Sequence, residues 1–117
     1  MKYLLGIDFG GGASKATLID TDGNLIATAT AEYPTLYPSM GACEQSPKDW
    51  TAALSSNICE ILQRSGIDKN DILGVAIDSA THTAVLCDEN NIPLRPAIHW
   101  TDSRSRAEAN YLPTPIA

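Results

Sequence analysis

Tyr3-Leu4-Leu5-Gly6-Ile7-Asp8-Phe9-Gly10-Gly11-Gly12-Ala13-Ser14-Lys15-Ala16-Thr17-Leu18-Ile19-Asp20 is the stretch that decides the fold. Tyr3 to Phe9 is a short apolar run ending in glycines, which suits a buried strand better than a helix. Ala13 to Asp20 reads as a second strand. Asp22-Gly23 supplies a hairpin turn, because glycine accepts positive φ without a Cβ clash. Leu25 to Tyr33 alternates β-branched residues with alanine and reads as the third strand of an antiparallel meander.

Gly10-Gly11-Gly12 invites a nucleotide reading, and two versions of it fail. A dinucleotide fold needs its glycines to open a helix, whereas Ala16 to Asp20 is strand-like. A Walker loop needs Gly-Lys-Ser/Thr, and Lys15 stands between Ser14 and Ala16. What remains is a strand ending in Asp8, a glycine hairpin and a returning strand that starts near Lys15. Glycines there let the backbone approach phosphate oxygens, and successive N–H groups form an anion-binding concavity. An acid at the strand end can hold Mg²⁺ through water. A tight hairpin with an acid beside it and no ligand is the competing reading of the same residues.

Downstream, Pro34, Pro38 and Gly41 make a loop. Ser46-Pro47-Lys48-Asp49 then starts a helix: Ser46 can cap, Pro47 suits the first helical position, and Asp49 sits near the positive end of the helix dipole. Trp50, Ala53, Leu54, Asn57, Ile58, Ile61 and Leu62 follow the spacing of one helical face, with Asn57 expected at the margin of the stripe, and Gly66 marks the stop. Ile72 to Ile77 is predicted as another buried strand and Thr83 to Cys87 as a further one, turning at Asp88 to Asn91. Pro93 and Pro96 predict an extended segment. A helix is predicted to start near Asp102 and run through Arg106 to Ala109. The tail from Leu112, with Pro113 and Pro115, is predicted extended.

The 117 residues are 44% hydrophobic and 19% charged, so one packed domain or part of one is expected rather than disorder. A net charge of −6 gives no general attraction to nucleic acid or anionic membranes. It also repels a nucleotide at long range, so any ATP site must be built locally. The first apolar run is too short for a signal peptide or a membrane span. Cys43, Cys59 and Cys87 are odd in number and widely spaced, which argues against a zinc site or disulfide framework and for reduced thiols in the cytoplasm.

Gly6-Ile7-Asp8-Phe9-Gly10, with Lys15 five residues on, resembles the first phosphate motif of the FGGY carbohydrate kinases, members of the actin/hexokinase/Hsp70 superfold. Three later segments agree in order. Glu44-Gln45-Ser46-Pro47-Lys48-Asp49-Trp50 looks like the Glu-Gln-x-Pro-x-x-Trp segment of xylulokinases. Ile77 to Thr83 sits where they carry Gly-Gln-Met-His-Gly, with His82 matching the histidine. Leu94 to Arg104 is similar to their Leu-Arg-Pro-Ala-Ile-x-Trp-x-Asp-x-Arg stretch. Four motifs in register cover nearly all of residues 3 to 106.

The resemblance implies an α/β fold, the first half of an actin-like (ribonuclease H-like) domain with a mixed sheet and an antiparallel three-stranded opening. It implies ATP and Mg²⁺ as cofactors and a sugar or polyol as substrate, with xylulose the first choice, and neither nucleic acid nor membrane as partner. Asp8 would belong to the Mg²⁺–phosphate region, and Gly10, Gly11, Gly12 and Lys15 to the nucleotide site. Thr81, His82, Trp100 and Asp102 stand at the substrate positions, Asp102 doubling as a helix cap with Arg104 as its ion partner. Two departures stand out. Gly11 and Gly12 replace hydroxyl residues of most members, so side-chain contacts to phosphate are lost. Ser79-Ala80-Thr81-His82-Thr83 also lacks the family's glutamine and methionine.

FGGY kinases are several times longer, with two actin-like domains, and their general base is an aspartate for which no residue here is a match. No catalytic residue is therefore assigned, and residues 1–117 are expected to be a partial N-terminal domain. On its own such a piece would be inactive, with an open edge at Ile72–Ile77 that pairs copies into dimers or larger homo-oligomers. The rival readings are an interaction module or an activator-type ATPase of the same superfold; the latter needs no sugar site.

Overall fold

Alternation sorts the side chains of β1 (Tyr3–Phe9): Leu5 and Ile7 are buried on one face, while Leu4 and Asp8 are exposed on the other. The computed structural model describes residues 1–112, so the predicted tail at Pro113 and Pro115 lies outside the described residues. β2 (Ala13–Asp20) returns antiparallel and buries Ser14, Ala16 and Leu18, and β3 (Leu25–Glu32) adds Ala27 and Ala29. The turn between them is held by Asp20. Its carboxylate accepts the N–H groups of Asp22 (2.9 Å) and Asn24 (2.8 Å), and Gly23 takes a φ of 89°. These bonds, led by one from the Asn24 side chain, keep the Asp20 carboxyl below its usual range.

After a loop and the two-residue strand β4 (Glu44–Gln45), helix α1 (Pro47–Ser65) lies across β2 and β3. It starts at Pro47 and stops at Gly66, whose φ of 68° lets its N–H turn back to Leu62 O. Ile61, flanked by Leu54 and Ile58, packs on Leu18 and the alanines Ala16, Ala27 and Ala29, which are small enough to let the helix approach closely. Leu18 and Ile61 are fully buried, each contributing about 1.5–3 kcal/mol. Asn57 departs from the sequence expectation. It lies at the centre of the stripe, 0% exposed, four residues from both Ala53 and Ile61. Its Nδ2 donates to Ser14 O (2.9 Å), which offsets part of the cost of burying an amide, while its buried Oδ1 has no partner among the described residues.

β5 (Ile72–Ser79) pairs in parallel with β1 and completes a mixed sheet of order β3-β2-β1-β5. The sequence predicts a buried strand here, yet Leu73, Val75 and Ile77 are more than half exposed. The core contacts of α1 fall on β2 and β3, and no other strand among the described residues pairs with the outer edge of β5.

The segment after β5 folds back on β4 through β6 (Ala97–Ile98). The strand predicted over Thr83–Cys87 reduces to isolated bridges, Ala84 with Ile98 and Cys87 with Pro93. Pro93 and Pro96 have no N–H to donate, so a continuous ladder cannot form. The turn at Asp88–Asn91 forms as predicted, with Asp88 Oδ1 accepting the N–H groups of Asn90 and Ile92. Helix α2 (Arg106–Ala109) begins four residues later than predicted and is flanked by Ser105, because Asp102 is engaged elsewhere.

Candidate active site

The end of β1 delivers Asp8 and Phe9 to a turn closed by Gly10 N–H donating to Ala13 O (2.9 Å). A Cβ on Gly10 would come within 3.2 Å of that same oxygen, so a side chain there would have to push the carbonyl aside by a few tenths of an ångström. The hairpin carbonyls are held from below. The Tyr33 hydroxyl donates to Gly10 O and lies 3.1 Å from Ala13 O, and its N–H donates to Gly12 O (3.1 Å). Burial first, and the Asp8 charge second, push the Tyr33 phenol above its usual pKa, so it keeps its proton and stays a donor. Gln45 Nε2 donates to Gly11 O (2.6 Å) and Thr35 Oγ1 (3.0 Å), while its Oε1 accepts Trp50 Nε1–H (3.0 Å). The Glu44–Trp50 motif is thus the underside of the glycine hairpin. Gly11 and Gly12 are exposed, and their N–H groups make no hydrogen bond among the described residues. With the carbonyls tied down, the free N–H groups of Gly11 and Gly12 are donors that an anion can reach.

Asp8 and Lys15 are register partners across β1 and β2, and Asp78 is the partner of Asp8 across β1 and β5. With Gly6, Thr17 and Ala76 they line an open cleft of about 300 Å³. The sequence reading did not single out Asp78. Its signal is the repeat of Leu5-Gly6-Ile7-Asp8 as Val75-Ala76-Ile77-Asp78, which a parallel pairing brings level. No group of three or more His, Cys, Asp or Glu gathers among the described residues. That donor set fits a hydrated magnesium, which takes one or two carboxylates, and does not fit an all-protein metal cage.

A second cleft of about 260 Å³ lies between the hairpin and α1, lined by Phe9, Tyr33, Trp50, Ala80, Thr83 and Val85 among others. Thr81 and His82 sit on the loop between Ala80 and Thr83, both exposed. His82 is at φ 53°, with its Nδ1 2.9 Å from Thr81 Oγ1. Trp100 is 56% exposed, its ring tilted against His99 at 5.7 Å. Thr81, His82, Trp100 and Asp102 line neither cleft.

Asp102 is neither a helix cap nor a free acceptor. Its Oδ2 accepts the Cys43 N–H (2.7 Å), its Oδ1 the Arg104 N–H (3.0 Å), and Arg104 Nε spans both oxygens. These partners fill the accepting sites of a carboxylate and leave none for a sugar hydroxyl. The Arg104 side chain first, then these backbone N–H groups, hold its carboxyl far below the usual range. Arg104 also reaches Glu44 Oε2 (2.7 Å), which Arg95 pairs with from the other side. The four groups clasp the later segment onto β4. Sequence reasoning missed Tyr33 and His99, and it saw Gln45 as part of a motif without its bond to Gly11 O.

A glycine hairpin between two antiparallel strands, with an in-register parallel strand beside the acid, defines the opening part of an actin-like domain. Residues 3–116 match the family model described as FGGY family of carbohydrate kinases, N-terminal domain, and the chain belongs to that family. A xylulose kinase from Lactococcus lactis subsp. lactis is 38% identical over 112 residues, covering 96% of this chain and 22% of its own. A glycerol kinase from Shewanella sediminis is 33% identical over 105 residues, covering 89% and 21%. Among solved structures, a xyloylose kinase from Brucella ovis superposes with a TM-score of 0.88 at 33% identity, covering 92% of this chain and 23% of that one. The chain spans about 22% of the length of the curated relatives it matches. No helix among the described residues is long and apolar enough to cross a membrane.

Proposed function

We propose that this chain supplies the phosphate hairpin and one wall of the sugar site of a cytoplasmic, ATP-dependent sugar kinase, with xylulose as the first-choice acceptor. The observation that carries the reading is the pair of free N–H groups at Gly11 and Gly12, on a hairpin whose carbonyls Tyr33 and Gln45 hold underneath. In this reading the general base and the adenosine-binding domain lie beyond residue 117, so the 117 residues alone turn nothing over.

Phosphoryl transfer is chiefly positioning and charge stabilisation. The Gly11 and Gly12 N–H groups receive phosphate oxygens, and Lys15, exposed beside Asp8, adds a positive charge. Asp8 would hold Mg²⁺ through water, and the ion when bound neutralises phosphate charge. Thr81 and His82 offer hydrogen-bonding groups to sugar hydroxyls. Trp100, 56% exposed, offers an apolar platform. Asp102 acts at one remove, by clasping the segment that carries Trp100.

ADP release by the intact protein with xylulose, ribulose or glycerol tests the reading. Xylulose is expected to be turned over fastest. His82→Ala and Trp100→Ala should raise the sugar KM far more than the KM for ATP. The reverse pattern would move both residues to the nucleotide side, and no turnover with any of the three would remove the reading.

A further inference from the structure

His99 has a polar atom with nothing to bond. The residue is 8% exposed, and its Nε2 is fully buried with no partner among the described residues. The other ring nitrogen is occupied: Nδ1 accepts the Thr101 N–H (3.3 Å) and lies 2.8 Å from Thr101 Oγ1. The ring proton is assigned to Nε2 on the Thr101 N–H that points at Nδ1, the Thr101 hydroxyl lying also 3.1 Å from Cys43 Sγ; with that tautomer the unpartnered atom is a donor. A buried donor without an acceptor carries the desolvation cost of an unmade bond, and such groups are rare.

The position of that donor is specific. A Cβ built on Gly11 would lie 4.0 Å from His99 Nε2 and meet no other atom within that distance. The imidazole therefore faces the place where residue 11 would carry a side chain, had it one. A serine oxygen there, one bond beyond Cβ, would fall within reach of the Nε2–H. Gly11 leaves this place empty of side chain, directly beside its own free N–H. We infer that His99, through its Nε2–H, is the side-chain donor of the hairpin, contacting an oxygen of the bound phosphate group over Gly11. The inference rests on the reading of Gly10–Gly12 as the phosphate site. The hairpin covers Nε2 in this structure, so the contact requires the Gly11–Gly12 backbone to move aside when the anion arrives, a movement that two glycines permit. His99 thereby does for this hairpin what a hydroxyl at position 11 would otherwise do.

Two substitutions separate this role from a structural one. His99→Asn keeps an acceptor at the Nδ1 position for the Thr101 N–H and removes the ε donor. His99→Gln keeps a donor at the ε position and gives up the Thr101 contact. Calorimetric titration of the intact protein with MgATP, and separately with inorganic triphosphate, is expected to show about tenfold weaker binding in His99→Asn, the worth of one bond to a charged acceptor. His99→Gln should stay within about threefold of the unaltered protein despite a lower melting temperature, and the sugar KM should not move. In a Gly11→Ser background, His99→Asn should weaken binding by less than about threefold, because the serine hydroxyl takes over. Equal affinity in His99→Asn, or His99→Gln as weak as His99→Asn, overturns the inference.

If a variant fails to fold, the unaltered protein still decides. The His99 Nε2 resonance should shift on adding MgATP together with the Gly11 and Gly12 amides. Hairpin amides that shift while Nε2 does not overturn the inference alone. Absence of any ATP effect overturns it together with the phosphate-site reading.

Discussion

Gln45→Leu isolates what holds the hairpin. Gln45 is 2% exposed, and its amide makes three hydrogen bonds: to Gly11 O (2.6 Å), to Thr35 Oγ1 (3.0 Å) and from Trp50 Nε1 (3.0 Å). Leucine has a similar volume, so packing is largely kept while all three bonds go. Only the bond to Gly11 O reaches the hairpin, so at about 1 kcal/mol net per bond the hairpin should lose about 1 kcal/mol against local opening, the other two losses falling on overall stability. With about 1.4 kcal/mol for each factor of ten, that is a roughly fivefold larger open fraction. Two amides report the opening: Gly10 N–H, bonded to Ala13 O, and Tyr33 N–H, bonded to Gly12 O. Native-state hydrogen exchange should find both roughly fivefold faster, with the amides of Leu5 and Leu18 in the sheet interior less affected. Unchanged exchange at Gly10 and Tyr33 would refute the reasoning. Equal acceleration across the whole sheet would refute it too, by making Gln45 a general core residue rather than a hairpin support.

Asp8→Asn keeps the shape of the side chain and removes its charge; turnover of the intact protein should fall by orders of magnitude with little change in melting temperature. Near-normal turnover at saturating magnesium would reduce Asp8 to a strand-end acid. The Asp102 carboxyl, held below its unfolded value chiefly by Arg104, stabilises the fold fully at neutral pH; that stabilisation is lost as pH falls through the depressed pKa. Asp102→Asn should therefore lower the urea midpoint at neutral pH and flatten its decline under acid, and parallel curves for the two proteins would contradict the clasp. The chain on its own should sediment as dimers or larger species paired through β5, whose Leu73, Val75 and Ile77 are exposed. A strictly monomeric species at every concentration would show that this edge is harmless.

What the sequence made legible is what neighbouring residues decide among themselves. The meander follows from two-residue alternation and the turn at Asp22-Gly23, and the bounds of α1 follow from Pro47 and Gly66. The hairpin was visible because glycines between two strand patterns have few other uses. Asn57 was misplaced because its partner, Ser14 O, lies 43 residues away, and a helical stripe cannot announce it. Asp102 looked like a cap because local capping chemistry favours it, but Arg104 and the Cys43 N–H compete for the same oxygens and win. β5 read as buried because an apolar run carries no record of which elements cover it. Gln45 and Trp50 were visible as a motif while their task was not, since the bond to Gly11 O crosses 34 residues. His99 had no signal beyond its type; only the fold sets it against Gly11.

The most direct measurement of the central claim is an amide NMR titration of the intact protein with MgATP, following Gly11 and Gly12. Saturable downfield shifts of both amides, with a matching change at Asp8 and Lys15 and none at β3, are expected if the hairpin receives phosphate. Binding of MgATP that leaves both glycine amides unmoved would contradict it, and the free N–H groups would then belong to an exposed turn and nothing more.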